Sequence, residues 1–241
     1  MGAKLLKAVS SLNQPLNSGE PKKLKDAIMR ILLTSGPTRQ YIDPVRYISN
    51  ASSGRMGCCL AEAFIELGHE VVIVSGPVAI DYPPAAKIVP VVSTEDMLAA
   101  AAEEFLNCQG MVGVAAPCDY RPVVIAENKI KKSGQRIQIE LVETPDVVAS
   151  LGEKKREDQW TVGFALETED AHFRAITKLH RKNCDLVVLN GVSAINSAET
   201  SIEVFDPAGA IVLAAAGSKS KIANLIAKKI QTHLIDQHGK Q

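Results

Sequence analysis

No excess of either charge runs along this chain: 27 lysines and arginines cancel 27 aspartates and glutamates over 241 residues. Without a net field there is nothing to draw a nucleic acid or a membrane surface to the whole molecule, so any anion must be bound locally, and the expected ligand is small. No apolar run approaches the ~20 residues of a membrane span, and the first residues form no continuous hydrophobic signal segment. The sequence therefore implies no membrane partner and a cytoplasmic protein. The five cysteines (Cys58, Cys59, Cys108, Cys118 and Cys184) are odd in number and scattered, with no C-x-x-C spacing, which fits reduced thiols better than disulfides or zinc. No G-x-G-x-x-G follows the first apolar strand, and no acidic residue closes the second where a dinucleotide ribose would sit, which disfavours hydride transfer. No G-x-x-x-x-G-K-[ST] is present either, so a triphosphate is not held by a P-loop.

What is present alternates. From Arg30 onward, short apolar runs at Ile31–Thr34, Val71–Val74, Met111–Val114, Val162–Ala165 and Leu186–Leu189 are separated by helical patterns. Strands apolar on both faces belong to a parallel sheet covered by helices on each side, which predicts an α/β, Rossmann-like, doubly wound and mostly parallel sheet. Such sheets bind ligands beyond the carboxyl ends of their strands. Residues 1–28 are rich in Asn, Ser, Gly, Pro and Lys and read as a flexible N-terminal arm.

One stretch stands out: Ile48-Ser49-Asn50-Ala51-Ser52-Ser53-Gly54-Arg55-Met56-Gly57. The apolar spacing of Met56, Leu60, Ala63, Phe64 and Leu67 predicts a helix from Arg55 until Gly68 stops it. Such a helix points its unpaired amides and about half a positive charge at Ser52, Ser53 and Gly54. A serine N-cap and an anion site both fit these residues. Cations gather at Lys129-Ile130-Lys131-Lys132, after a long polar connection from Asp119 that reads as an extended lid loop, ahead of a strand-like Ile137–Leu141. A second group, Arg174, Lys178 and Lys182 with Arg181 beside them, falls four apart on one helix face. An anion along that stripe and a solvated face screened by Glu167, Glu169 and Asp170 are both consistent with it.

Taken in order, Ser49-Asn50 through Gly57, Ala115-Ala116 leading to Asp119-Tyr120-Arg121-Pro122, Lys129–Lys132, Thr144-Pro145-Asp146 and Val162–Ala165 resemble the bacterial, CTP-dependent phosphopantothenate–cysteine ligases over roughly residues 29–235. In many organisms that ligase is the C-terminal half of a bifunctional coenzyme A biosynthesis flavoprotein. The resemblance makes 29–241 a nucleotide-binding ligase domain. It implies coupling of 4′-phosphopantothenate to L-cysteine through an acyl-cytidylate, with release of pyrophosphate and then CMP. No counterpart of the decarboxylase half is present, so no flavin is expected.

By the same resemblance Asn50 holds the acyl carbonyl and Lys129 steadies charge on the phosphates or the tetrahedral oxygen. Gly113, Val114, Ala115, Asp119, Pro145, Asp146, Val147, Val148, Lys178 and Lys182 meet the nucleotide. Ser52, Ser53, Gly54 and Ala116 face the substrate anion. Phe164 matches an aromatic neighbour of the nucleotide, although a Phe at a strand end is equally a core residue. Mg2+ is expected mainly on the nucleotide phosphates. Family members form homodimers and lend a lid across the interface, so a homodimer is expected. The eukaryotic version uses ATP, and the Ser49–Gly54 spelling favours CTP. There are departures: Arg55 for the usual Lys, Pro117-Cys118 for Val-Ala, Leu166 for Ala, and a poor match over 196–202. Pro117 removes an amide donor near the nucleotide, and Cys118 reads as packing. Two rival readings are a non-catalytic nucleotide-binding relic and a nicotinamide-dependent oxidoreductase on the same fold.

Overall fold

The apolar run at Ile31 becomes the middle of the sheet. In this computed structural model, which describes residues 28–167, 169–191 and 199–238, β1 (Arg30–Ser35) is buried along its whole length from Ile31 onward. The chain then makes a small hairpin of β2 (Arg39–Asp43) and β3 (Arg46–Ser49), a helix α1 (Arg55–Glu66), strands β4 (Glu70–Ser75) and β5 (Lys87–Pro90), helix α2 (Thr94–Phe105) and strand β6 (Gly110–Gly113). A two-stranded ribbon of β7 (Tyr120–Pro122) and β8 (Leu141–Glu143) precedes α3 (Val147–Lys154), β9 (Trp160–Leu166), α4 (Ala171–Arg181) and β10 (Leu186–Asn190). Strands β11 (Glu199–Phe205) and β12 (Ile211–Ser218) lead into α5 (Lys219–Ile230).

Eight strands form the main sheet in the order β12-β11-β10-β9-β6-β1-β4-β5. The six from β10 to β5 are parallel, and the β11–β12 hairpin closes one edge antiparallel. Because successive side chains in a strand point to opposite faces, two rows of apolar residues result. Ile31, Leu33, Val112, Val162, Leu186, Val188, Ile202 and Val204 meet α1 and α5. Leu32, Val72, Val74 and Met111 meet α2 and α3 on the other face, where Ala165, Val187 and Leu189 meet α4. The expected doubly wound sheet is thus present, with edges within a residue or two of the apolar runs.

Local chemistry fixes the connections. Ser93 caps α2 by accepting from the Asp96 amide while the Asp96 carboxylate accepts from the Ser93 amide, a reciprocal cap of the kind that contributes about 1 kcal/mol. Gly110 must be glycine, since a Cβ there would lie 2.0 Å from the ring of the buried Trp160. The sequence reading of a strand over Ile137–Leu141 is corrected: β8 starts at Leu141, and only one bond, from the Val123 amide to the Glu140 carbonyl, extends the pairing before it. The partner strand β7 is three residues long, so 137–140 has nothing to pair with despite its alternation. Of the N-terminal arm, only Ile28 falls among the described residues.

Candidate functional site

The order of the sheet reverses between β1 and β6, because β4 and β5 were laid on one side of β1 and everything after α2 on the other. At such a switch point the loops leaving adjacent strands part and leave a crevice. Here the two chains stay together one step longer, through a parallel bridge of Pro37 with Ala116 and a 2.9 Å bond from the Ala116 amide to the Gly36 carbonyl. Beyond it opens a cleft of about 880 Å³. That size accommodates a nucleotide with a second reactant.

One wall is the start of α1. Its N-cap is Gly54, with φ of 74°, a left-handed conformation that favours glycine, and no side chain caps the helix. The expectation of a serine N-cap is therefore not met: Ser52 Oγ only accepts a 3.4 Å bond from the Gly54 amide, and Ser53 is exposed. The first-turn amides have no side-chain acceptor, and the first intrahelical bond runs from Cys58 to Gly54. The helix also presses close to β1, since a Cβ on Gly57 would stand 2.1 Å from Ser35 Oγ. Gly57→Ala should accordingly destabilise the fold by about 1–3 kcal/mol through overpacking, read as a lower urea midpoint with an unchanged slope.

The floor is a buried threonine relay that the sequence did not announce. Thr38 Oγ1 accepts from the Cys118 amide at 2.7 Å and lies 2.8 Å from Thr94 Oγ1, which donates to the Cys118 carbonyl at 3.0 Å. Thr144 Oγ1 donates to the same carbonyl at 2.7 Å, and its amide donates to Asp119. Together these hold 116–120 against α2 and the segment before α3. Asn50 is anchored to this floor, donating from Nδ2 to the Pro117 carbonyl at 2.8 Å. Pro117 thus serves through its carbonyl. Cys118 is buried, its thiol bonded to the Tyr120 carbonyl, in keeping with packing.

The opposite wall carries cations, but not as a bare stripe. Asp146 caps α3 by accepting from the Ala149 amide at 3.1 Å and pairs with Lys182 at 3.0 Å and Arg181 at 3.8 Å. Burial pushes its carboxyl up, yet Lys182, the Ala149 amide and Arg181 outweigh that and leave it below the usual carboxylate range. Lys178 pairs with Glu167 at 2.6 Å. Arg174 instead approaches Glu169 at 3.8 Å and does not line the cleft. Lys182 itself is the residue that ends α4.

Nearly every residue named from sequence lines this one cleft: Asn50, Ser52, Ser53 and Gly54 from one wall, Gly113 to Ala116 and Asp119 from the floor, Pro145 to Val148, Phe164, Lys178 and Lys182 from the other. Phe164 is both things at once, packed on the core beneath α1 and exposed to the cleft. Lys129 is the exception, since it is exposed on the lid and does not line the cleft. The lid is nonetheless pinned beside it. The Ile130 amide donates to Asp43 Oδ2 at 3.2 Å, and Arg46, 2.6 Å from the same carboxylate, donates to the Ile130 carbonyl. Asp43 is wholly buried; burial raises its carboxyl, but the amides of Val45, Ile130 and Arg46 and the Arg46 charge hold it lower than usual.

Glu143, Asn190, Thr200 and Lys219, to which the sequence assigns no role, also line the cleft, as do Arg55, Thr144 and Arg181, which it marks without placing them in the site. Alternation was the available signal. In β9, β10 and β11 the α1/α5-facing rows Val162-Phe164-Leu166, Leu186-Val188-Asn190 and Val204-Ile202-Thr200 each run from the core into the cleft. Among the described residues no group of three His, Cys, Asp or Glu is arranged to hold a metal ion, and no helix is long and apolar enough to cross a membrane. Among the described residues the carboxylates on the cleft outside ion pairs are those of Asp119 and Glu143, a donor set too sparse for a cation caged by the protein.

Fold and cleft together define a Rossmann-like α/β domain with an open cleft at its topological switch point. More narrowly, residues 27–234 match the model of the DNA/pantothenate metabolism flavoprotein C-terminal domain, and the chain belongs to that family. The coenzyme A biosynthesis bifunctional protein CoaBC of Vibrio vulnificus is 41% identical over 219 residues, 88% of this chain and 54% of that protein. Its counterpart in Haemophilus influenzae is 42% identical over 180 residues, 73% of this chain and 45% of its own. The chain thus spans about half the length of these curated relatives. A solved C-terminal domain of a CoaBC protein superposes with a TM-score of 0.75 at 36% identity, covering 88% of this chain and 99% of that one.

Proposed function

We propose that this domain is a CTP-dependent phosphopantothenate–cysteine ligase. The observation that supports the reading best is convergence: residues between Asn50 and Lys182, picked out by one family pattern and far apart in the chain, line a single cleft. The reaction needs two anions brought together. The substrate carboxylate attacks the α-phosphate of CTP, pyrophosphate leaves, and the acyl-cytidylate forms; the cysteine amine then attacks the acyl carbon and CMP departs. Uncapped amides at α1 and the cations on the facing wall offset the repulsion between carboxylate and triphosphate. Alignment of the reactants can contribute roughly 7–11 kcal/mol towards the barrier. Mg2+, when bound with the nucleotide, would screen the charge of its phosphates; the chemistry requires no flavin.

The pairing of Lys182 with Asp146 and Lys178 with Glu167 suits this task, because each lysine is held in place before the nucleotide arrives and can share its charge with a phosphate. A homodimer belongs to the same reading. The lid exposes Val123, Val124, Ile125, Ile137 and Ile139 with Leu141 and Val142 of the ribbon, an apolar surface suited to a second copy. Lys129, exposed on that lid, acts by being carried over a cleft, its own or its partner's. The test is pyrophosphate release on mixing protein, Mg2+ and 4′-phosphopantothenate with CTP or ATP, with L-cysteine then converting the acyl-nucleotide to the amide. Faster release with CTP and sedimentation as a dimer are expected; no turnover with all substrates present sinks the reading.

A further inference from the structure

The far end of the cleft, between β9, β10 and α5, carries two side-chain oxygens that no group among the described residues satisfies. Thr200 is 3% exposed and its Oγ1 has no hydrogen-bond partner; Asn190 Oδ1 is likewise buried and unpartnered. Buried polar groups are nearly always paired, so two neighbouring exceptions on the wall of one cleft need a reason. They are neighbours by register: Asn190 pairs with Ile202, one side-chain step along the same face from Thr200, and the Gly191 amide donates to the Ser201 carbonyl. Thr200 in turn pairs with Gly217, just before Lys219 opens α5, and Lys219 forms no ion pair with a carboxylate among the described residues.

The rest of the cleft is built for anions, with helix amides on one wall and Lys178, Arg181 and Lys182 on the other. A carboxamide oxygen and a hydroxyl oxygen with free lone pairs suit the opposite chemistry, an N–H donor. A lone cation beside them suits a carboxylate. An α-amino acid presents both groups two bonds apart. We infer that Asn190 and Thr200 receive the amino group of the amino-acid substrate, with Lys219 as the counter-charge to its carboxylate. The inference rests on the ligase reading and adds to it where the second reactant sits: at the β9–β10–β11 end, past Phe164, so that its amine approaches the acyl carbon from the side away from the Lys178/Lys182 wall.

Thr200→Val tests this without endangering the fold, because exchanging a buried, unpaired hydroxyl for a methyl of the same shape is close to neutral for stability. Two rates are read in each variant: CTP–pyrophosphate exchange driven by 4′-phosphopantothenate alone, and amide formation as L-cysteine is varied. Thr200→Val and Asn190→Leu are expected to raise the KM for L-cysteine by roughly tenfold, the effect of one lost hydrogen bond, and to change exchange much less. Asn190→Asp, which keeps an acceptor, should recover most of the loss. Lys219→Ala should narrow the preference for L-cysteine over cysteamine, which lacks the carboxylate. If the wild-type chain exchanges but Thr200→Val and Asn190→Leu keep its KM for L-cysteine, or lose exchange to the same degree, the subsite is overturned alone. If the wild-type chain shows no exchange, the ligase reading falls and takes the subsite with it.

Discussion

Asn50→Ala should lower amide formation by about 10²- to 10³-fold, the loss usual when one donor to a developing oxyanion is removed, while pyrophosphate release survives and acyl-cytidylate accumulates. The side chain lines the same cleft as the start of α1, with one N–H of its Nδ2 spent on the Pro117 carbonyl at 2.8 Å. That bond fixes the carboxamide, leaving its second N–H to point at a carbonyl in the cleft. Asn50 is exposed and ends no helix or strand, so alanine should cost little stability. A quench that finds no accumulated intermediate, with both half-reactions slowed alike, would remove Asn50 from the second step.

Lys129→Ala should slow acyl-cytidylate formation by a comparable factor, with thermal stability unchanged, because the side chain is exposed and lies off the cleft. Its position depends on the clasp one residue further on. Asp43→Asn sets an amide group against the Ile130 and Val45 amides and removes the charge that holds Arg46, so it should reproduce part of the Lys129→Ala defect without touching the cleft. Faster hydrogen exchange across residues 123–140 in Asp43→Asn, but not in Lys129→Ala, separates the two roles. The clasp also has a pH signature. Since the folded-state carboxyl of Asp43 lies below its ordinary value, its contribution is complete at neutral and mildly acidic pH. It is lost only as pH falls through that lowered value. Lid protection that disappears already between pH 6 and 5 would assign the effect to another group.

How much of this was legible in the residues varies by element. The five apolar runs became β1, β4, β6, β9 and β10 because a strand buried on both faces has no polar alternative, and Gly68 ended α1 as the spacing required. The edge hairpin β11–β12 was not legible: its outward residues are exposed, and its pattern matches no two-sided burial. Serine at an N-cap was a sound expectation from propensity that the structure overrode. The approach of α1 to Ser35 and of Gly54 to Val78, where a Cβ would lie 2.9 Å from Cγ1, needs glycine at the turn. Of the cation stripe, Lys178 and Lys182 line the cleft, each paired with a carboxylate, while Arg174 turns to Glu169 and does not.

The sequence by itself determined the class of sheet, the helix that begins at Arg55, the lack of a global field, and the family to which the chain belongs. These depend on patterns within a dozen residues or on motif order, and both survive without coordinates. Tertiary structure alone decided which groups meet. The Thr38–Thr94–Cys118–Thr144 relay and the Asp43 clasp on Ile130 join residues that lie far apart in sequence, and the register of β10 on β11 sets Asn190 beside Ile202, one side-chain step from Thr200. Hydrogen bonds and desolvation act over a few ångströms, so they follow proximity in space, and proximity is set by which strand lies beside which.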